Sequence, residues 1–378
     1  MMSLSIKRLK RCFIDRLRPG FAVSLYSLTT LIVYTMALTG CRGYRETQVT
    51  PEVIAGDLSV PDLSRGAGEE REEESGGRMN YQLDDTLRVN HLQALGTHNS
   101  YHLASEIDIL PWRYSHLPLD EQLEEQGVRQ FELDIYEVGG EFKVYHIERL
   151  DPNTTCETLR DCLEVMSVWS ARRSTHHPLL VLLEVKSIER SAGEAVRVIE
   201  MMIEETWGRS RVLTPNLVQR GYSTLREGLE AEGWPHLGEV RGRLLAVLHS
   251  GGALREALLT ADGGLEDRLL FPDAYGDLSA PFAAYHSMND PISGFERIQD
   301  VVRAGHLVRT RSDVDGEAYR DLDYTRADLA LMSGAHWIST DYPRAPQEGE
   351  YGFVIPEGTP SRCNPLTAPP ACSPDQIE

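Results

Sequence analysis

Four side chains that carry hard oxygen donors, Asn99, Glu132, Asp134 and Glu184, stand at or near the ends of short apolar segments. Glu132 and Asp134 are two positions apart, so on an extended strand both point to the same face. Three carboxylates gathered without compensation repel and raise one another's pKa. A hard divalent cation relieves that repulsion, and an all-oxygen donor set fits Ca2+ or Mg2+ better than zinc. The plainer alternative is ordinary ion pairing with Arg129, Lys143 or Lys186.

Two imidazoles accompany these groups. His98 directly precedes Asn99, and His146 follows the Glu132–Asp134 segment in "FKVYHIERL". Imidazole titrates near neutral pH and suits acid and base work. The other histidines, His102, His249 and His286 among them, read as structural hydrogen-bonding residues. Arg309 and Arg311 in "LVRTRSDVDG" offer planar donor forks that suit a phosphate. The "DVDG" that follows lacks the remaining positions of a calcium loop and reads as a turn. Asp341, in "STDYP", either orients a substrate hydroxyl or caps the end of the fold.

Such groups need elements to bring them together. "HLQALGT" (91–97), "VRQFELDIYEV" (128–138), "PLLVLLEVKS" (178–187) and "GRLLAVLHS" (242–250) read as strands. "FAAYHSM", "AGHLVRTRS" and "GAHWISTDYP" read as later ones. Between them, 118–127, 155–173, 193–208 and 324–334 place apolar residues at helical intervals. Strands that alternate with helices over one long segment imply a parallel sheet, closed as a (β/α)8 TIM-type barrel or open and doubly wound. No Gly-x-Gly-x-x-Gly turn follows the first strand, and polar residues gather after strand upon strand; both observations favour the barrel. The pattern over 251–300 is too irregular to place the fifth and sixth strands.

The chain has 378 residues. Residues 1–40 join a basic leader to an uncharged apolar run that ends in "LTGC", the pattern of a lipoprotein signal peptide with Cys41 as the lipidated residue. An uncleaved anchor or plain secretion is the alternative. Residues 41–80 are acidic and Gly-rich with little to bury, which predicts a disordered tether. Residues 81–378 then form one barrel domain with a disulfide-bonded tail. Loss of residues 1–40, with six positive side chains and one negative, takes the formal charge from -20 to -25. So acidic a surface argues against nucleic acid as a partner. The remaining cysteines, Cys156, Cys162, Cys363 and Cys372, are even in number, as disulfides in an exported protein would be. Four cysteines permit three pairings, and the local ones, Cys156–Cys162 and Cys363–Cys372, are preferred. An exported envelope protein, monomeric and held at a membrane surface by its lipid, is the expectation.

Several longer motifs carry a resemblance. "GTHNSYH", "YSHLPLDEQLEEQGVRQFELDIY", "KVYHI", "LLEVKS", "VRTRSD" and "SGAHWISTDYP" occur in the order found in bacterial calcium-dependent phosphatidylinositol-specific phospholipase C-like proteins. That family shares a catalytic barrel type with the eukaryotic phospholipases C. The resemblance spans roughly residues 85–372, and the accessory lipid-binding domains of the eukaryotic enzymes are missing. It implies His98 and His146 as catalytic residues, Asn99, Glu132, Asp134 and Glu184 as Ca2+ ligands, and Lys186 near the substrate phosphate. It implies cleavage of phosphatidylinositol to diacylglycerol and a cyclic inositol phosphate, with His146 as general acid and the base open between His98 and a ligating carboxylate. Glycerophosphodiester phosphodiesterases and sphingomyelinase D-like enzymes are related alternatives, but they usually carry His-Arg where this chain has His98-Asn99. An inactive surface lipoprotein that only binds is the third reading.

Overall fold

The structure, a computed structural model, describes residues 81–259 and 265–378. The expected signal peptide, Cys41 and the tether lie outside the described residues. No helix among the described residues is long and apolar enough to cross a membrane.

Eight strands run parallel around a barrel. In chain order they are β1 (Leu92–Thr97), β2 (Gln130–Val138), β4 (Leu179–Ser187), β5 (Leu244–Leu248), β6 (Leu270–Pro272), β7 (Tyr285–Ser287), β8 (Leu307–Arg311) and β9 (Trp337–Thr340). Two more strands pair antiparallel at the margins: β3 (Glu141–Val144) on β2, and β10 (Arg362–Cys363) on β1. The parallel order is β6-β5-β4-β2-β1-β9-β8-β7, and a bridge between Asp273 and Tyr285 joins the two ends. The barrel expectation holds. The fifth and sixth barrel strands, which the sequence pattern could not place, are β6 and β7, each only three residues long, and no helix is described between them.

The outer layer includes α1 (Leu119–Glu124), α2 (Leu159–Arg172) and α3 (Ala192–Trp207). Thr158 and Ser191 cap α2 and α3 in reciprocal boxes with Asp161 and Glu194, a signature present in the sequence as S/T-x-x-D/E. Along β2 the period of two sorts the side chains. Phe131, Leu133 and Ile135 join the hydrophobic core, while Gln130, Glu132 and Asp134 take the other face. Both local disulfides form, Cys156–Cys162 and Cys363–Cys372. The second ties down a C-terminal tail that closes the N-terminal end of the barrel. There Arg129, just before β2, pairs with Glu378, and Arg241 donates to the carbonyl of Ile377 at 2.7 Å. The opposite end is left for the site.

The turn after β1 is stitched to its surroundings. Ser100 N–H donates to the Glu132 carbonyl (2.9 Å), and Glu132 N–H donates to Ser100 Oγ (2.8 Å). Gln122 of α1 is fully buried beneath that turn; its amide donates to the carbonyls of Ser100 and Leu117, each at 2.7 Å, and its Oε1 accepts from Thr97 Oγ1 at 2.9 Å. Asn99 stands in the left-handed region with φ 43°, which asparagine tolerates better than most residues. A Gln122→Leu substitution keeps the volume but orphans these groups, at about 1–3 kcal/mol for a buried polar group left unsatisfied. Chemical denaturation should show a clearly lowered midpoint; an unchanged midpoint would mean the turn does not depend on Gln122.

Candidate active site

All eight barrel strands deliver polar side chains at or just beyond their C-terminal ends. The parallel register sets Asp134 of β2 directly beside Glu184 of β4. Lys186 bridges the two, with Nζ 3.2 Å from Asp134 Oδ2 and 2.6 Å from Glu184 Oε1. Glu132 pairs with Arg309 of β8, whose side chain is fully buried. Arg309 also donates to Ser339 Oγ and to Asn289 Oδ1, each at 2.6 Å. It therefore lies beneath the rim as counter-ion to Glu132, deeper than a phosphate-binding role would require. The ion pairing weighed as the alternative to a metal does occur, through Lys186; Arg129 and Lys143 pair elsewhere, with Glu378 and Glu141.

The acids answer to these surroundings in opposite ways. Burial is the largest influence on Glu132 and would raise it, but Arg309, His98, His249 and Arg311 together outweigh burial and hold the carboxyl at about 2. Burial wins at Asp134: only partly offset by Lys186, and helped by the charges of Glu184 and Glu132, it pushes that carboxyl up to about 8. Asp134 Oδ1 is buried without a hydrogen-bond partner. A buried carboxylate oxygen with nothing to bond, set among two further carboxylates, is the environment a hard cation satisfies. The residues present fit a divalent ion held by Glu132, Asp134 and Glu184, with Asn99 alongside.

Two histidine–aspartate pairs flank this cluster. His98 Nδ1 lies 2.9 Å from Asp341 Oδ1, and His146 Nδ1 lies 2.8 Å from Asp151 Oδ2. Both imidazoles keep about a quarter of their surface open (22% and 24%), while both aspartates are buried. With Nδ1 engaged by the carboxylate, Nε2 is the ring nitrogen left to act. Burial, reinforced by Arg311, drives the His98 pKa well down, so that ring stays neutral. Asp151 is held at about 2: burial works against it, but hydrogen bonds from His102 and His146 prevail.

The partners of these histidines were not evident from sequence. Asp341 holds His98 and accepts from Arg311 at 3.2 Å, so it orients a catalytic candidate; neither of the two roles weighed for it, a substrate-hydroxyl contact or a barrel cap, is needed to explain its position. Asp313, read as part of a turn, is buried and accepts the Asp341 N–H at 3.0 Å. His102, read as structural, is buried and donates through Nε2 to Asp151 Oδ2 at 2.8 Å, steadying the carboxylate that holds His146. His286 keeps its structural reading, buried against His306 at 2.9 Å. His249 does not: one of its ring nitrogens lies within 4.8 Å of carboxylate oxygens of Glu132 and Glu184.

Known proteins share this fold. The sequence model of the family described as "Phosphoinositide phospholipase C, Ca2+-dependent" matches residues 87–142 and 138–365. No curated protein sequence registers as a match. Among solved structures, a Ca2+-dependent phosphatidylinositol-specific phospholipase C from Streptomyces antibioticus superposes with a TM-score of 0.51 at 18% identity, over 68% of this chain and 95% of that one. A calcium-dependent phosphoinositol-specific phospholipase C from a Gram-negative Pseudomonas species gives 0.53 at 16% identity, over 71% and 96%. At such identities the likeness is one of fold.

The Asp151 carboxyl sits below its unfolded value, so its contribution to stability is complete above about 4 and is lost as pH falls towards 2. Unfolding free energies measured from pH 5 to pH 2 should therefore fall less steeply in Asp151→Asn than in the parent protein. Parallel slopes would show that the Asp151 interactions contribute nothing to acid stability.

Proposed function

Because the chain belongs to the calcium-dependent phosphoinositide phospholipase C family, we propose that it cleaves the glycerol–phosphate bond of phosphatidylinositol by attack of the inositol 2-hydroxyl. The products are diacylglycerol and a cyclic inositol phosphate. The observation that carries this reading is the placement of two buried-carboxylate–histidine pairs beside one carboxylate cluster at the same barrel end.

Each residue has a task that follows from its surroundings. His98, neutral and with Nδ1 fixed by Asp341, offers the Nε2 lone pair to the proton of the attacking hydroxyl. A carboxylate of the cluster, Glu132 or Asp134, is the alternative base for that step. His146 faces the leaving glycerol oxygen and protonates it. Asp151 behind it holds Nδ1 at 2.8 Å and leaves Nε2 to deliver the proton. Lys186, half-buried and mobile between two acids, and Arg311 at the rim supply positive charge for the phosphate. Asn99, Glu132, Asp134 and Glu184 would hold Ca2+, which when bound lowers the pKa of the attacking hydroxyl and stabilises charge on the phosphoryl oxygens.

The substrate lies in a lipid layer, and the loop after β1 suits that. Ile107 and Ile109 are exposed there, and Trp112 of the same loop packs edge-on to His146 at 5.6 Å. The leader and Cys41 would export the protein and anchor it by lipid, and both disulfides suit an oxidising compartment.

Release of cyclic inositol phosphate from phosphatidylinositol vesicles, with and without a calcium chelator, tests the reading. Release that the chelator abolishes is expected. No release in calcium would favour a protein that only binds, and release that survives chelation would remove the cation assignment. His146→Ala should lower the rate by about 10²–10⁴-fold, the usual contribution of a general acid; near-full activity would take His146 out of that role. Ile107→Asp with Ile109→Asp should raise the apparent KM on vesicles but leave hydrolysis of a soluble inositol phosphodiester unchanged, and equal loss on both substrates would exclude a membrane-docking role.

A further inference from the structure

The geometry points to His249 as a nitrogen donor at the edge of the carboxylate cluster, so that Glu132, Glu184 and His249 bind a borderline divalent cation such as Zn2+ or Co2+ in competition with Ca2+. This rests on the reading of Glu132 and Glu184 as cation ligands, and it assigns to the same site a second class of ion that an all-oxygen donor set would not select.

The ligand atoms of the three residues lie within 4.8 Å of one another, a span that one cation bridges. They come from different strands, β2, β4 and the end of β5, so the barrel and not a local turn brings them together. The imidazole is built in as a ligand would be. Its Nδ1 is 2.7 Å from Asp273 Oδ2, which commits that nitrogen to the carboxylate and leaves Nε2 for an ion. Asp273 is fully buried and cannot turn away: its Oδ1 accepts the backbone N–H groups of Tyr275 (2.8 Å) and Ser287 (3.0 Å). The Tyr275 ring lies 5.3 Å from the imidazole and shelters it from the solvent side. A carboxylate behind a histidine fixes its tautomer and orientation for metal binding. Ca2+ prefers oxygen and draws little from such a nitrogen, whereas Zn2+ and Co2+ bind imidazole strongly. The consequence is a site whose occupant depends on which ion is available, with His249 deciding the affinity for the borderline metals.

Isothermal titration of the whole protein with Zn2+ alone and with Ca2+ alone, in the parent and in His249→Gln, Asp273→Asn and Glu184→Gln, tests this. His249→Gln is expected to weaken Zn2+ binding by about tenfold or more, and Asp273→Asn by about tenfold. Neither should move Ca2+ affinity by more than about twofold. Glu184→Gln should weaken both ions. In the parent protein, long-range 1H–15N spectra should show the His249 Nε2 signal shifting as Zn2+ is added while Nδ1 stays protonated, a readout that needs no variant to fold. Zn2+ affinity unchanged in His249→Gln, or an unmoved Nε2 signal, overturns the inference and leaves the Ca2+ reading intact. Ca2+ affinity unchanged in Glu184→Gln, with Zn2+ still dependent on His249, does the reverse.

Discussion

A fully buried guanidinium holds the centre of this barrel. Arg309 reaches from β8 to Glu132 on β2, to Ser339 on β9 and to Asn289 beyond β7. A charge taken so far from water is tolerable only when paired and hydrogen-bonded on all sides. That requirement runs both ways. Arg309 needs Glu132 charged and in place, and Glu132 needs Arg309 for the same reason. The pair fixes opposite walls of the barrel at one distance, and Gln130 extends the network by accepting from Ser339 Oγ and donating to the Thr97 carbonyl. The room is tight: a Cβ on Gly96 would lie 2.0 Å from Gln130 Oε1, so only glycine leaves that amide its position. Every side chain of the site hangs from strands whose spacing this polar core sets.

From that fixed frame the acid–base pairs are aimed by groups behind them. Asp341 leaves β9 with its N–H tied to Asp313, which is itself held by Ser312 and Thr340. Asp151 is clamped by His102, whose Nδ1 is in turn 3.0 Å from the Tyr114 carbonyl. Each histidine therefore has one ring nitrogen assigned by a buried carboxylate, Asp341 from the far end of the chain for His98 and Asp151 from the same loop for His146. Preorganisation of this kind lets a proton move without the surroundings having to rearrange first. It also explains why histidines as ordinary in sequence as His98 and His146 acquire distinct roles: one is kept neutral by burial beside Arg311, the other is backed by a carboxylate that stays charged.

Much of this was legible in the sequence, for a definite reason. The long strands β2 and β4 announce themselves by alternation and by a continuous apolar run, and their period of two already puts Glu132 with Asp134. Helical intervals over 155–173 and 193–208 mark α2 and α3. What escaped was either short or distant. A three-residue strand such as β6 is below the length at which periodicity says anything. Asp341 and His98 are 243 positions apart, and Arg309 and Glu132 are 177 apart. No local pattern encodes such pairs; only closure of the barrel does. His249 and Asp273 belong to the same case, since their meeting depends on β5 and β6 lying side by side.

The charge balance of the carboxylate cluster bears on the cation proposed for it. Three carboxylates, Glu132, Asp134 and Glu184, face two cations, Arg309 and Lys186, and the raised pKa of Asp134 lets it keep its proton near neutrality. The cluster is thus close to neutral by itself, which is why so many acids can be packed at one barrel end without preventing folding. Arg309, buried and four-square in its bonds, is not displaceable. Lys186, 30% exposed, is. Any ion that enters competes with the Lys186 ammonium for Asp134 and Glu184. A monovalent ion brings no more charge than the ammonium it displaces and gains nothing by the exchange. Against a divalent ion, with twice that charge, Asp134 would give up its proton and Lys186 would be free for an anionic partner. On the proposed reading, the preference for a doubly charged ion would rest on Lys186.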